Sequence, residues 1–177
     1  LDRLITDISQ ASRVDHEIMG QNLTLVDFTN LINNFVQMRR QTYSDHKLNL
    51  DMPELPLMLR VNESRIVQVL DNVLSNAISF SPKGCTVKFI LRHQESNSNI
   101  VLDIIDTGPG IPETKLETVF DRFYSERPSD ERFGEHSGLG LSIARQIVGA
   151  HNGHLTAHNQ LEGGACFRLV LPLESLC

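Results

Sequence analysis

The sequence predicts a two-layer α/β (α+β) sandwich, with helices packed on one face of a mixed, largely antiparallel sheet. Three observations predict it. Several segments carry apolar residues at helical spacing, and the clearest is Ile66, Val69, Leu70, Val73, Leu74 and Ala77. Between and after the helical segments lie short runs of strand character, Thr86–Arg92, Ile100–Asp106, His154–Gln160 and Ala165–Pro172. Two of the links between these runs, the polar Gln94–Asn99 and the turn Glu162-Gly163-Gly164, are short enough for hairpins.

In chain order, Leu1 to about Ile18 reads as a helix with Leu1, Leu4, Ile5, Ile8, Ala11, Val14 and Ile18 on one side. Little nearby sequence is available to cover that stripe, so it looks like one arm of a helical hairpin or coiled coil. Gly20-Gln21-Asn22 breaks it. A second helix is expected from about Asp27 to Tyr43, with Phe28, Leu31, Ile32, Phe35, Val36 and Met38 facing inward. Short strands follow at Lys47–Leu50 and Met58–Val61, around a loop marked by Pro53 and Pro56. The next helix runs from about Glu63 to Phe80 and ends at Ser81-Pro82-Lys83-Gly84. After the first hairpin, residues 113–137 are charged and rich in breakers. A last helix starts near Gly138 and runs to about Ala150, ahead of the final two strands. The expected division is residues 1–20 as part of a hairpin and residues 24–177 as one domain.

Bulk properties narrow the function. The chain has 177 residues, 40% of them hydrophobic, which suffices for one real core. A net charge of −6 without a basic cluster argues against nucleic acid as the main partner. Cys85, Cys166 and Cys177 are widely spaced and odd in number, and read as reduced thiols. No run approaches the roughly 18 apolar residues of a membrane span. The start at Leu1, already inside a periodic pattern, suggests a piece of something longer.

Four motifs carry the chemistry. On a helical wheel, Asn72 and Asn76 fall together at about 240° and 280° from Ile66, against the border of the apolar stripe. Two carboxamides at a buried border need partners, since an unpaired buried amide costs roughly 1–3 kcal/mol; a ligand, a metal, water or a loop would each serve. Asp106-Thr107-Gly108-Pro109-Gly110-Ile111 closes an apolar strand with an acid, and its glycines let the backbone pass close to something flat or bulky. On its own it is equally a plain turn. Phe120-Asp121-Arg122-Phe123-Tyr124 places aromatics in a polar segment, as in a hinge that anchors a flap, or in a surface loop with a small satellite core. Gly134-Glu135-His136-Ser137-Gly138-Leu139-Gly140-Leu141 opens a helix, and Gly138 and Gly140 expose N–H groups there as an anion site. It is neither a Walker loop nor a Rossmann fingerprint.

In this order and spacing the four resemble the N, G1, F and G2 boxes of the catalytic ATP-binding domain of sensor histidine kinases, within the gyrase/Hsp90/MutL-like (GHKL) ATPase superfamily. The resemblance covers about Leu25 to Leu173 and implies a Bergerat-type fold. Residues 1–18 resemble the second helix of the kinase dimerisation hairpin. Leu1–Ser9 and Phe133–Gly138 resemble the ChvG/ExoS-type envelope-stress kinases of α-proteobacteria. The resemblance implies ATP and Mg²⁺ as cofactors, with Asn76 holding the metal and Asn72 beside the phosphates. It implies Asp106 on the adenine amino group, with Gly108, Gly110 and Ile111 shaping the base pocket. Phe120 and Phe123 would anchor a lid, and Gly138, Leu139, Gly140 and Leu141 would form the phosphate-binding helix start.

In hydrolytic relatives a Glu four residues before the metal Asn activates water. Here that place is Asn72, whose amide is no general base, so poor hydrolysis and transfer to another nucleophile are expected. Ser79 stands where many relatives have a basic residue, Ser125 where an Arg often stands, and His136 and Asn152 where Gly is usual. The acceptor His of such a kinase lies on a helix before Leu1. His16 is more plausibly a solvated helix-end residue, and His46, His93, His151, His154 and His158 structural or surface residues. The implied whole is a homodimeric bacterial inner-membrane sensor with this portion in the cytoplasm. It would phosphorylate its own hairpin and pass the phosphoryl to a response regulator Asp. The alternatives are a catalytically degenerate interaction module and a GHKL ATPase.

Overall fold

A computed structural model describes residues 23–124 and 138–173. The expected Leu1–Ile18 helix, His16, Ser125, His136 and Cys177 lie outside the described residues.

Within them the order is β1 (Thr24–Asp27), α1 (Phe28–Thr42), β2 (Lys47–Asp51), β3 (Met58–Val61), α2 (Glu63–Ser79), β4 (Thr86–Gln94), β5 (Asn99–Ile105), α3 (Gly140–Ala150), β6 (His154–Asn159) and β7 (Ala165–Pro172). Short 3-10 turns occupy Glu95–Asn97, Glu113–Lys115 and Thr118–Phe120. Both long helices begin at a side-chain cap. Asp27 accepts the Asn30 N–H at 3.1 Å, and Asn62 accepts the Arg65 N–H at 3.2 Å.

The main sheet has strand order β2-β4-β5-β7-β6. Strands β2 and β4 run parallel, and the other neighbours are antiparallel. Strands β1 and β3 form a separate antiparallel ribbon. Registers align the inward side chains in rows across the sheet: Phe89, Ile104 and Phe167, then Leu91, Leu102 and Leu169. All six are buried in one core with the inward faces of the three helices. The α2 stripe read from the sequence, Ile66 through Ala77, is wholly within it. Alternation along β4 and β5 puts residues such as Lys88, Arg92 and Asp103 on the opposite face, where Arg168 grips Asp103 through two bonds of 2.7 and 2.8 Å. Helix α1 is tied to α2 by a forked Arg39–Asp71 pair, both bonds 2.6 Å.

The expected sandwich is therefore present. Strand β1 was not expected, and the helix and strand ends differ from the expected ones by a few residues at most.

Candidate functional site

Four pieces of chain meet beyond the end of β5. They are the outer border of α2, the turn after β5, the start of α3, and the β6–β7 turn.

Asn72 and Asn76 lie half-buried on α2, one turn apart. Asn72 Nδ2 is buried and has no hydrogen-bond partner among the described residues. Its carboxamide lies along Gly140: a Cβ there would meet Asn72 Cγ and Oδ1 at 3.6 Å. The orphaned donor therefore sits beside the first residue of α3. The Asn76 carboxamide makes no hydrogen bond among the described residues. Its backbone carbonyl accepts from Ser79 Oγ at 3.0 Å, so Ser79 folds back on its own helix.

Asp106 ends β5 and is 4% exposed. Its Oδ1 accepts the N–H of Gly108 at 2.8 Å and of Ala165 at 3.2 Å. Among the described residues its Oδ2 has no donor. Burial pushes this carboxyl above its ordinary range, and the two backbone N–H groups work against that rise. Gly108 is packed so closely that a Cβ would come within 3.0 Å of Asp106 Oδ1 and of the Phe80 carbonyl. Gly110 adopts φ 81°, a left-handed conformation that suits glycine. Ile111 is half-buried against the core.

Helix α3 starts at Gly140 with no side-chain cap and no acid in its first turn. Its first free N–H groups are thus available to an anion. Leu139, just before it, is buried and accepts the Ser142 hydroxyl at 2.8 Å. Leu141 is half-buried on the core. Gly138, at φ 70°, accepts the Phe123 N–H at 3.1 Å. A Cβ on Gly138 would reach the Tyr124 carbonyl at 2.7 Å.

The two expected lid anchors differ. Phe120 is 5% exposed, edge-on to Phe167 at 6.4 Å, with the Arg145 guanidinium 4.8 Å over its ring. Phe123 is 57% exposed, at φ 65°, and is held through its backbone to Gly138. The segment 125–137 between these pieces lies outside the described residues.

Sequence reasoning missed Asn159, at the end of β6. Its Oδ1 accepts the Ile111 N–H at 2.8 Å, and its Nδ2 donates to the Ile111 carbonyl at 2.7 Å. Its partner lies 48 residues away, so no local pattern in the sequence points to it. The inward histidine is His151: Asn62 N–H donates to Nε2 at 3.0 Å, and Nδ1 lies 2.7 Å from the Ile147 carbonyl. Those partners assign the proton to Nδ1. His151 thus ties the end of α3 to the cap of α2, as the structural role expected of it requires.

A nucleotide fits this inventory. Among the described residues the site offers a buried amide without a partner, a half-used carboxylate, a turn packed too tightly for side chains at Gly108 and Gly110, and an uncapped helix start. No cluster of three or more His, Cys, Asp or Glu able to hold a metal occurs among the described residues.

Residues 61–175 match the family described as histidine kinase-, DNA gyrase B- and HSP90-like ATPases. The sensor protein ChvG of Rhizobium meliloti (strain 1021) is 39% identical over 97% of this chain. The chain spans 32% of that protein's length. A solved mycobacterial sensor histidine kinase, MprB, is 31% identical with a TM-score of 0.72, over 85% of this chain and 97% of that one. Full-length ShkA, solved in complex with AMPPNP, shares the fold at a TM-score of 0.78 and 21% identity, over 96% of this chain and 35% of that one. The Asn-bearing helix, the Asp106 turn and the glycine-led α3 start thus stand in a chain that belongs to the histidine kinase-, DNA gyrase B- and HSP90-like ATPase family.

Proposed function

We propose that this chain binds Mg·ATP between α2, the Asp106 turn and the start of α3, and transfers the γ-phosphoryl to a histidine on a dimerisation hairpin. The hairpin would pass it to an Asp on a response regulator. The observation that carries the reading is Asp106: a nearly buried carboxylate with one oxygen pinned by two N–H groups and the other without a donor among the described residues. That is an acceptor waiting for a donor from outside the described chain, and an exocyclic amine of adenine is such a donor.

The other roles follow from position. Gly108 and Gly110 let the turn pack closely on Asp106, Phe80 and Asn159, which fixes the place of the Asp106 carboxyl that would meet the base. The first N–H groups of α3 and the free Asn72 Nδ2 offer donors to phosphate oxygens. Asn76 supplies a neutral oxygen to the cation. Mg²⁺, held by Asn76 and by the nucleotide, would offset the charge of the phosphates. None of Asn72, Asn76 or Ser79 is a general base, so the site favours positioning for an incoming imidazole over activation of water. The bond from the γ-phosphorus to the bridging oxygen breaks, the bond to the imidazole nitrogen forms, and ADP leaves. The ATP analogue seen in ShkA and the sensor-kinase relatives support this reading.

Titration of the chain with a fluorescent ATP analogue in the presence of Mg²⁺ tests it. The unaltered chain is expected to saturate, and Asn76→Ala and Asp106→Ala to lose binding while still folded by circular dichroism. Failure of the unaltered chain to saturate overturns the nucleotide reading. Full affinity in both variants overturns the residue assignment.

A further inference from the structure

We infer that Asn159 is a positioning residue for base selection, acting through the turn that carries Asp106, Gly108 and Gly110; this rests on the nucleotide reading above. The argument starts from the Asn159 carboxamide, which is filled on both sides by one residue of that turn. It accepts the Ile111 N–H and donates to the Ile111 carbonyl, as a neighbouring β-strand residue would. The Nδ2 group also lies 3.3 Å from Glu113 Oε1. A side chain here does the work of a ladder where the chain has left the sheet after β5.

The strand partner completes the cradle. Asn159 pairs with Ala165 in the β6–β7 register. Ala165 exchanges backbone contacts with Asp106: the Asp106 N–H donates to the Ala165 carbonyl at 3.0 Å, and the Ala165 N–H donates to Asp106 Oδ1. The turn between them closes through Gln160 N–H to the Gly164 carbonyl at 3.0 Å. Gly164, at φ 92°, passes so near that a Cβ would lie 2.0 Å from the Asp106 carbonyl. A Cβ on Gly110 would meet Asn159 Oδ1 at 2.8 Å. Both ends of the segment 106–111 are therefore held from the same β6–β7 unit, Asp106 by Ala165 and Ile111 by Asn159. Releasing the Ile111 end leaves Asp106 hinged at one end only. Its unpinned oxygen then loses a defined direction.

The consequence is specific. A loosened Asp106 should weaken recognition of a 6-amino purine more than that of a 6-oxo purine, which does not present that donor. The triphosphate is common to both and cancels in the ratio.

The test measures ATP and ITP by displacement of a fluorescent ATP analogue from the full chain, unaltered and with Asn159→Ala or Asn159→Asp. The second variant is nearly isosteric and keeps the acceptor for the Ile111 N–H, but sets an oxygen against the Ile111 carbonyl. Loss of one such bond predicts that the ATP-over-ITP preference falls about five- to tenfold in both variants, with melting temperature and ITP affinity close to those of the unaltered chain. An unchanged preference in either folded variant overturns the inference. A proportional loss of both nucleotides with a lowered melting temperature also overturns it, in favour of a purely structural role. An unaltered chain that binds neither nucleotide refutes the nucleotide reading, which is a different outcome.

Discussion

Asp106 is held in the folded protein at an energetic cost. Burial raises its carboxyl above the ordinary 3.8, so the folded protein holds the proton more tightly than the unfolded chain does. Stability from this preference is fully present below pH 3.8 and is lost as pH rises through the raised native value. Above that window the carboxylate is ionised and disfavours folding. Asp106→Asn keeps an oxygen for the Gly108 and Ala165 N–H groups and removes the charge. The variant is expected to be at least as stable as the parent at neutral pH, with the parent gaining on it as pH falls through the window. Urea unfolding of both proteins between about pH 4 and pH 8 measures this. A variant less stable at neutral pH by more than ~1 kcal/mol would show that the charged form is favoured instead. Nucleotide binding should still be lost, because the amide presents a donor where an acceptor is needed. The position of Asp106 at a strand end was legible, because an acid closing an apolar run before two glycines is a local pattern. Asn72 and Asn76 were legible from helical periodicity. Asn159 was not, because its partner Ile111 is 48 residues away and no periodic signal links the two.

At the scale of elements, α2 does two jobs with two faces. Its inward stripe builds the core, and its border presents the two carboxamides. Leu74 is 0% exposed on that inward face. Leu74→Ala removes buried methyl groups from the core, on the side of α2 away from the two asparagines, and the expected loss is about 2–5 kcal/mol. Chemical unfolding reads the loss, and a change under ~1 kcal/mol would mean that the site collapses around the smaller residue. Helix type and extent were readable because α1 and α2 repeat their apolar residues over several turns and start at Asp27 and Asn62 caps. Strand β1 was not. It has only four residues, none fully buried, and its partner is β3, beyond the whole of α1 and β2. A strand defined by a distant neighbour leaves no alternation of its own. The parallel β2–β4 pairing escaped sequence reading for the same reason, since turn signals report only adjacent hairpins.

For the molecule as a whole, the question is which nucleophile the site serves. The sandwich brings the α2 border, the Asp106 turn and the α3 start to one end of the sheet, yet among the described residues none of these pieces places a carboxylate beside Asn72. Asp106 is the buried acid, and it is committed to Gly108 and Ala165. Among the described residues, water beside Asn72 would find hydrogen-bond donors and no side chain suited to take its proton. We therefore expect this chain to hydrolyse Mg·ATP slowly, and to label a separately supplied histidine hairpin domain of a matching sensor kinase when [γ-³²P]ATP is added. Asn72→Glu supplies the missing base one turn before Asn76, on the same border. It should raise phosphate release and lower the yield of labelled hairpin per ATP consumed. Its Oε atoms also give up the Asn72 amide donor, so nucleotide affinity must be measured alongside and the rates compared at saturation. Rapid steady release by the unaltered chain would reassign it to the hydrolytic branch of its family. No gain in release from Asn72→Glu, with saturating nucleotide and intact folding, would mean that water is placed away from α2, and the transfer argument drawn from Asn72 would fail.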